Sequence, residues 1–253
     1  MYGSVIGDIS GSIYEFEQTK KIKSIKTGII IPDNGFYSDD TILTVAIKDA
    51  IDHDLDYGKN LREYIREYED YRPDFEPYFK TSFSPNIIKW SKGNYIGNSH
   101  GNGALMRISP VGFMFDTEKD VLDNAREATI PSHNSFEAIY GAEVLSLVIL
   151  YLRQGLSKEE AFKMLNLAPK YVPFKKFNTT VEETLYNCLY VFYISNSFED
   201  AIKKTLLMGG DTDTNCAIVG ALAEAYYGIP QVLIDKANSK IPDRFVKVLK
   251  KNK

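Results

Sequence analysis

Cysteine is scarce, with two in 253 residues, and histidine nearly so, with three. Cys188 and Cys216 fall in predicted helices, and neither belongs to a CxxC pair. They read as buried reduced thiols, which excludes a disulfide framework and a thiolate zinc site. A basic excess is also missing: the net charge is −4, so a nucleic-acid backbone is not expected as the main partner. Long apolar runs are absent. The longest, Val144 to Leu152, falls short of the roughly 20 residues that span a bilayer, so no membrane association is expected. The first eight residues, Met1 to Asp8, carry no basic region ahead of an apolar stretch and do not read as a signal peptide. Repeats, low-complexity tracts and linker-like shifts are missing too. The expectation is one domain over residues 1–253 in a reducing cytoplasm, with a monomer as the default. Apolar content of 44% and charged content of 25% suit a soluble globular chain. A single domain of this length buries roughly 70–75% of its unfolded surface, enough for a full core.

What is present is mostly helical pattern. Ile42, Val45, Ala46 and Ala50 share a helical face, as do Leu61, Tyr64, Ile65 and Tyr68. Thr117 with Asp120, Ser157 with Glu160, Thr180 with Glu183 and Ser197 with Asp200 have capping-box spacing and mark four helix starts. Ser135 to Leu152 is apolar nearly all round, the pattern of a central buried helix. Ala217, Ile218, Ala221, Leu222, Ala225 and Tyr226 form a stripe that Gly228-Ile229-Pro230 ends. Pro242 is placed to open a last helix with Phe245, Val246 and Leu249 inward. Strand signals are few: Lys23 to Ile31, followed by Pro32-Asp33-Asn34-Gly35, reads as a small hairpin with an Asn-Gly turn. Tyr71 to Gly101, rich in Pro, Asn, Gly and aromatics, reads as a long irregular segment of the kind that often carries function.

Two acidic clusters stand out, Ser38-Asp39-Asp40-Thr41 and Gly209-Gly210-Asp211-Thr212-Asp213-Thr214. Each precedes a helical run and offers two carboxylates with flanking hydroxyls, oxygen-only chemistry that suits a hard divalent cation. The bland alternative is capping. Ser38 is a good N-cap, and acids in a first turn complement the helix dipole. At the second cluster a glycine cap ends one helix, and Asp211 and Asp213 can face one way with Thr212 turned aside. Phosphate binding at the glycine turn is a third option, opposed by the two acids and the missing P-loop lysine. Gly3, Gly7 and Gly11 recur at helical spacing and permit close helix packing. Glu15 at the end of that face is, taken alone, a solvated helix residue. Asn98 to Arg107 is a glycine-bearing loop whose amides can bind pyrophosphate or simply make a turn. His133, in Pro131-Ser132-His133-Asn134, can equally be a core histidine.

Five segments in order, Gly7-Asp8 through Gly11-Ser12 to Tyr14-Glu15, Ser38 to Thr41, Gly101 to Arg107, Ser132-His133-Asn134 and Gly209 to Thr214, together resemble the ADP-ribosylglycohydrolase family. The resemblance runs from residue 3 to 214, with matching helical pattern to about Gly228. It implies an all-α, compact single-domain orthogonal helical bundle with a binuclear Mg²⁺ (or Mn²⁺) centre at the mouth of a cleft. Carried over by position, it puts Ser38, Asp39, Asp40, Asp211, Asp213 and Thr214 in the metal shell, with Glu15 as a further acid beside the ions. Ser99, His100, Gly101, Asn102 and Gly103 fall where relatives wrap the ADP-ribose phosphates and distal ribose, and His133 at a ligand-proximal histidine. Ser38 and Ser132 stand where many relatives carry Thr, and His100 where an aromatic is common, which leaves the leaving-group preference open. Tyr71 to Lys92 has no anchor in the resemblance. Two divalent ions also answer an electrostatic need, since five carboxylates in one cleft cannot all stay ionised.

The implied reaction is hydrolysis at C1″ of an ADP-ribosyl group on a protein side chain or small conjugate. Nucleic acid enters only if the acceptor is an ADP-ribosylated base. The expected catalytic acids are Glu15, Asp39, Asp40 and Asp213, with Glu15 or a metal-bound Asp taking the proton of water. Two rival readings are a non-catalytic ADP-ribose binder or crystallin-like protein on the same fold, and another two-metal hydrolase such as a phosphatase or nuclease. The intact set of acids speaks against the first. The shortage of histidine and lysine near the acids speaks against the second.

Overall fold

Hydroxyl and carboxylate side chains start most of the helices. The computed structural model describes residues 1–15, 29–73, 81–174 and 177–251. Among these, Ser38, Asp56, Ser84, Thr117, Ser135, Ser157, Thr180 and Ser197 each accept a hydrogen bond from a backbone N–H of the first turn they open. The helices so capped are α2 (Asp39–His53), α3 (Tyr57–Tyr68), α4 (Pro85–Lys92), α7 (Glu118–Thr129), α8 (Phe136–Arg153), α9 (Lys158–Met164), α10 (Val181–Tyr193) and α11 (Phe198–Met208). The four starts expected from capping spacing are all observed. Only Ser157 and Glu160 form the reciprocal pair, with Ser157 N donating to Glu160 Oε2 at 2.8 Å. Asp200 instead accepts from Asn196 N.

The remaining helices among the described residues are α1 (Tyr2–Gly11), α5 (Gly103–Met106), α6 (Ser109–Met114), α12 (Thr212–Tyr227), α13 (Gln231–Asn238) and α14 (Asp243–Lys250), with a 3-10 turn at Ser12–Tyr14. No β-strand occurs among the described residues; two isolated bridges, Asn98 with His133 and Gly101 with Thr180, are the extended pairings. The all-α expectation therefore holds. Of the expected hairpin, residues 23–28 lie outside the described residues; Ile29 to Gly35 forms no strand, only a turn in which Gly35 N donates to Pro32 O. Nor is Tyr71 to Gly101 irregular throughout. Residues 74–80 lie outside the described residues, and α4 follows, opened by Ser84 with Pro85 in its first turn.

One contiguous apolar core runs from Val5 in α1 to Leu249 in α14. Its axis is α8, buried from Val144 to Leu152 and packed against α6, α7, α10 and α12. The closest helix pair is α1 with α12, which run antiparallel. A Cβ on Gly3 would stand 2.1 Å from Gly220 O, one on Gly7 2.0 Å from Cys216 O, and one on Gly11 2.2 Å from Thr212 O. Those distances lie far inside van der Waals contact, so the glycine stripe is what allows the two backbones to touch. The register puts the C-terminal end of α1, and the 3-10 turn that leads to Glu15, beside the first residues of α12. No helix among the described residues is long and apolar enough to cross a membrane.

Candidate functional site

Three chain segments reach the site through α1. Its only acid, Asp8, is fully buried and caps α2 from outside. Asp8 Oδ2 accepts from Ser38 N (2.8 Å), Thr41 N (3.1 Å) and Thr41 Oγ1 (2.5 Å), and Oδ1 from Ser38 Oγ (2.8 Å). The N-terminus of α2 is thereby tied to α1, and α1 is pressed against α12. The two acidic clusters meet as a result.

Asp8, Asp40 and Asp213 each offer a carboxylate oxygen within 4.8 Å of the others, and so do Glu15, Asp211 and Asp213. Asp213 belongs to both triplets. Thr214 Oγ1 donates to Asp40 Oδ2 at 3.4 Å and Ser38 Oγ to the same oxygen at 3.3 Å. Asp40 Oδ1 is buried with no hydrogen-bond partner among the described residues. Asp39 is half-buried on the cleft wall and gives no oxygen to either triplet.

Burial, followed by the charge of Asp213, pushes Asp8 up to about 7 and Glu15 up to about 11, and holds Asp39 and Asp40 well above the carboxylate range. Burial raises Asp211 to about 6 against the hydrogen bonds it accepts, and burial with the charge of Asp211 raises Asp213. Arg107 is the buried cation nearby; burial lowers it to about 10 while Asp39 opposes the shift. Six crowded carboxyls, an orphaned buried oxygen and a donor set of oxygen alone fit hard divalent cations such as Mg²⁺ or Mn²⁺. The two triplets share Asp213.

Asp211 is braced by a buried amide network. Asn102 Nδ2 donates to Asp211 Oδ2 at 2.7 Å, and Asp211 N donates to Asn178 Oδ1 at 3.0 Å. Asn178 and Asn215 exchange two amide hydrogen bonds at 2.8 and 3.1 Å, and Asn215 Nδ2 also donates to Gly209 O. Gly209 and Gly210 both have φ of +78°, and a Cβ on Gly210 would lie 2.1 Å from Asn178 Oδ1. Thr212 is turned aside as expected, its hydroxyl donating to Gly11 O at 3.0 Å. Capping and presentation coincide in the first cluster, where Ser38 accepts from Asp40 N while Asp39 and Asp40 line the cleft. In the second, Asp211 precedes α12 without a side-chain capping bond, and Asp211, Asp213 and Thr214 line the cleft.

The cleft above the acids has a volume of about 730 Å³, within the range of pockets that enclose a small-molecule ligand. One wall is the loop 97–103, held from both sides. Gly97 N donates to Pro131 O and Ser99 N to Ser132 O, while Asn102 N donates to Thr179 O. The facing wall includes α4, which Arg62 holds by donating to Trp90 O, Gly93 O and Tyr95 O with its guanidinium 3.8 Å from the Trp90 ring centre.

Ser99, Gly101, Asn102, Gly103 and His133 all line the cleft, together with Glu15, Asp39, Asp40, Asp211, Asp213 and Thr214. Asn102 points its amide at Asp211 rather than into the open volume. His100 is set apart. It is 65% exposed, does not line the cleft, and faces Glu137 of α8 with Nδ1 3.5 Å from Oε2. The reason is local: His100 O accepts from Val181 N and the neighbouring Gly101 pairs with Thr180, which turns the side chain outward. Sequence reasoning passes over Asp8, Asn178 and the pairing of Arg107 with Ser132. A lone acid in the otherwise small and apolar α1 is the signal for Asp8; nothing local marks Asn178.

Comparison with known proteins gives the family and the fold. The chain is 24% identical over 308 aligned residues to the ADP-ribosylhydrolase ARH3 of Mus musculus, covering 91% of this chain and 83% of that protein. It is 28% identical over 156 residues to the ADP-ribosyl-(dinitrogen reductase) glycohydrolase of Rhodospirillum rubrum, covering 56% of this chain and 52% of that one. A solved structure described as an ADP-ribosylglycohydrolase-related protein complex shares the fold, with a TM-score of 0.67 and 23% identity over 98% of this chain and 89% of that chain. The sequence profile of one family matches residues 1–251, and the chain belongs to it: the ADP-ribosylglycohydrolase family.

Proposed function

We propose that this chain is a Mg²⁺-dependent hydrolase, with Mn²⁺ as the alternative ion, that cleaves the glycosidic bond between ADP-ribose and an acceptor on a protein side chain or small conjugate. The observation that carries the reading is the pair of carboxylate triplets sharing Asp213 at the floor of a nucleotide-sized cleft. The names of the relatives, an ADP-ribosylhydrolase and an ADP-ribosyl glycohydrolase, supply the substrate class. We take residues 1–253 as one catalytic domain acting as a monomer in the cytoplasm.

Asp8, Asp40 and Asp213 would hold one ion and Glu15, Asp211 and Asp213 the other, with Ser38 and Thr214 beside them. Bound there, the ions supply positive charge that orients the ribose hydroxyls and a water and lowers the pKa of that water. The chain does the rest. Loop 97–103 and His133 hold the phosphate and sugar portion against the floor. The carboxylates stabilise the oxocarbenium-like charge that develops at C1″ as the bond breaks. Glu15, which offers an oxygen to the second triplet, is the candidate for taking the proton of the attacking water; its metal-free pKa of about 11 keeps it protonated, so this role requires the bound cations to bring that value down. Asn102 and Asn178 keep Asp211 aimed.

The test is a thermal-shift titration with ADP-ribose, with and without Mg²⁺, on the wild type and on Asp211→Asn combined with Asp213→Asn. Mg²⁺-dependent stabilisation by ADP-ribose is expected in the wild type only. A double variant that binds as the wild type does would remove the two-ion site from the account.

A further inference from the structure

Arg107, Ser132 and His133 form a buried chain in the cleft wall, at 1%, 3% and 4% exposure. Arg107 Nη2 donates to Ser132 Oγ at 2.7 Å and to Ala128 O at 3.4 Å, and Ser132 Oγ lies 2.7 Å from His133 Nδ1. Nε and Nη1 of Arg107 have no partner among the described residues. Among the described residues its side-chain hydrogen bonds therefore go to the last turn of α7 and to Ser132 just beyond it.

The direction of the chain follows from what each group can do. A guanidinium only donates, so Ser132 Oγ accepts from Arg107 and has its own proton left to place. His133 Nδ1 is the other polar group within reach among the described residues. Leaving a buried hydroxyl proton without an acceptor forfeits its hydration with nothing in return. The hydroxyl accordingly donates to Nδ1, which must be the bare nitrogen, and the ring proton sits on Nε2. Nε2 faces the cleft next to Gly103: a Cβ there would stand 3.2 Å from it and cover it.

We propose that Arg107 is a positioning residue that acts through Ser132 to fix His133 in its Nε2–H tautomer, presenting a single hydrogen-bond donor to an oxygen of the ligand in the cleft. The ligand is the ADP-ribosyl group of the function proposed above, and the inference rests on that reading for the ligand alone. Burial and the charge of Arg107 both hold the ring well below the ordinary histidine pKa, which agrees with one ring proton rather than two. Ser132→Thr keeps a hydroxyl at the same place and should preserve the chain.

The experiment is long-range ¹H–¹⁵N NMR on the full chain labelled in histidine, where His53 and His100 are exposed and only three signals need assignment. Wild type is expected to show His133 protonated at Nε2 and bare at Nδ1. Ser132→Ala and Arg107→Met should each lose that signature and weaken ADP-ribose binding by about tenfold, the loss of one hydrogen bond worth about 1.4 kcal/mol. Ser132→Thr should restore both. A wild-type ring protonated at Nδ1 or at both nitrogens overturns the proposal, and so does an unchanged tautomer in Ser132→Ala or in a folded Arg107→Met. If Arg107→Met does not fold, the wild-type spectrum and the Ser132 pair decide. The tautomer is read without substrate, so failure of ADP-ribose to bind the wild type counts against the proposed function and not against the tautomer.

Discussion

Replacing Asp213 by asparagine removes the charge that both carboxylate triplets share while keeping the oxygen that accepts from Thr214 N. In metal-free protein this change should stabilise the fold. Asp8, with an ordinary value of 3.8, is raised to about 7, and Asp211 to about 6. Raised carboxyl pKa values mean that the folded state binds more protons than the unfolded chain between the two values. Metal-free stability from these groups is therefore fully present below about pH 4 and lost as the pH climbs through about 6 and 7. For Asp8 the loss is about 4 kcal/mol, from about three pKa units at 1.36 kcal/mol each. A like-charge pair within 4.8 Å costs about 3 kcal/mol or more at an effective dielectric constant of about 20. Asp213→Asn should recover about that much at pH 8 in EDTA, a rise in Tm of roughly 6–12 °C for a chain of this size. Added Mg²⁺ should reverse the ranking: at 100 times Kd it stabilises the wild type by about 2.7 kcal/mol and the variant far less. The assay is thermal denaturation at pH 5 and pH 8, in EDTA and in Mg²⁺. A variant less stable than the wild type in EDTA at pH 8, together with a wild type whose metal-free stability does not fall with pH, would refute the reasoning.

Asn178→Ala removes the acceptor of Asp211 N and both amide bonds to Asn215. It should weaken Mn²⁺ binding about 10–100-fold, measured by calorimetry, and unchanged affinity would mean Asp211 does not need the brace. Gly7→Ala forces a methyl to 2.0 Å from Cys216 O. The helices α1 and α12 must separate, at about 3 kcal/mol or more, and Asp8 moves with them. Urea denaturation should show the loss of stability, and a fold as stable as wild type would contradict the close approach of the two helices.

Much of the fold was legible because its signals are local. Hydroxyls three residues before an acid are read as caps, and Thr117, Ser157, Thr180 and Ser197 are caps. Gly3, Gly7 and Gly11 at helical spacing announced a close approach, though not that α12 is the partner, because the sequence holds no information on which backbone fills the groove. Ser135 to Leu152, apolar nearly all round, read as central and is. The segment from Tyr71 was harder: Ser84-Pro85 is a good helix start, but the Pro, Asn and aromatic content around it hides an eight-residue helix. The candidate site was legible as a set of residue types and in part as a geometry. Asp40, Asp211, Asp213 and Glu15 meet in the two triplets, whereas Asp39 lines the cleft without giving an oxygen to either, and His100 faces outward because its own carbonyl and Gly101 pair with Val181 and Thr180. Asp8 and Asn178 act through tertiary hydrogen bonds to residues at least 30 positions away, and no local spacing encodes such a bond.

The central claim is metal-dependent release of ADP-ribose, and one measurement addresses it directly. A panel of defined ADP-ribosyl conjugates (on arginine, serine, acetate and a nucleic-acid base) is incubated with the wild type, and free ADP-ribose is quantified in Mg²⁺, in excess EDTA, and after Mg²⁺ is restored. Release from at least one conjugate in Mg²⁺, lost in EDTA and recovered with Mg²⁺ or Mn²⁺, is the predicted result. Release that persists undiminished in excess EDTA, or no release from any conjugate by metal-loaded protein, would contradict it.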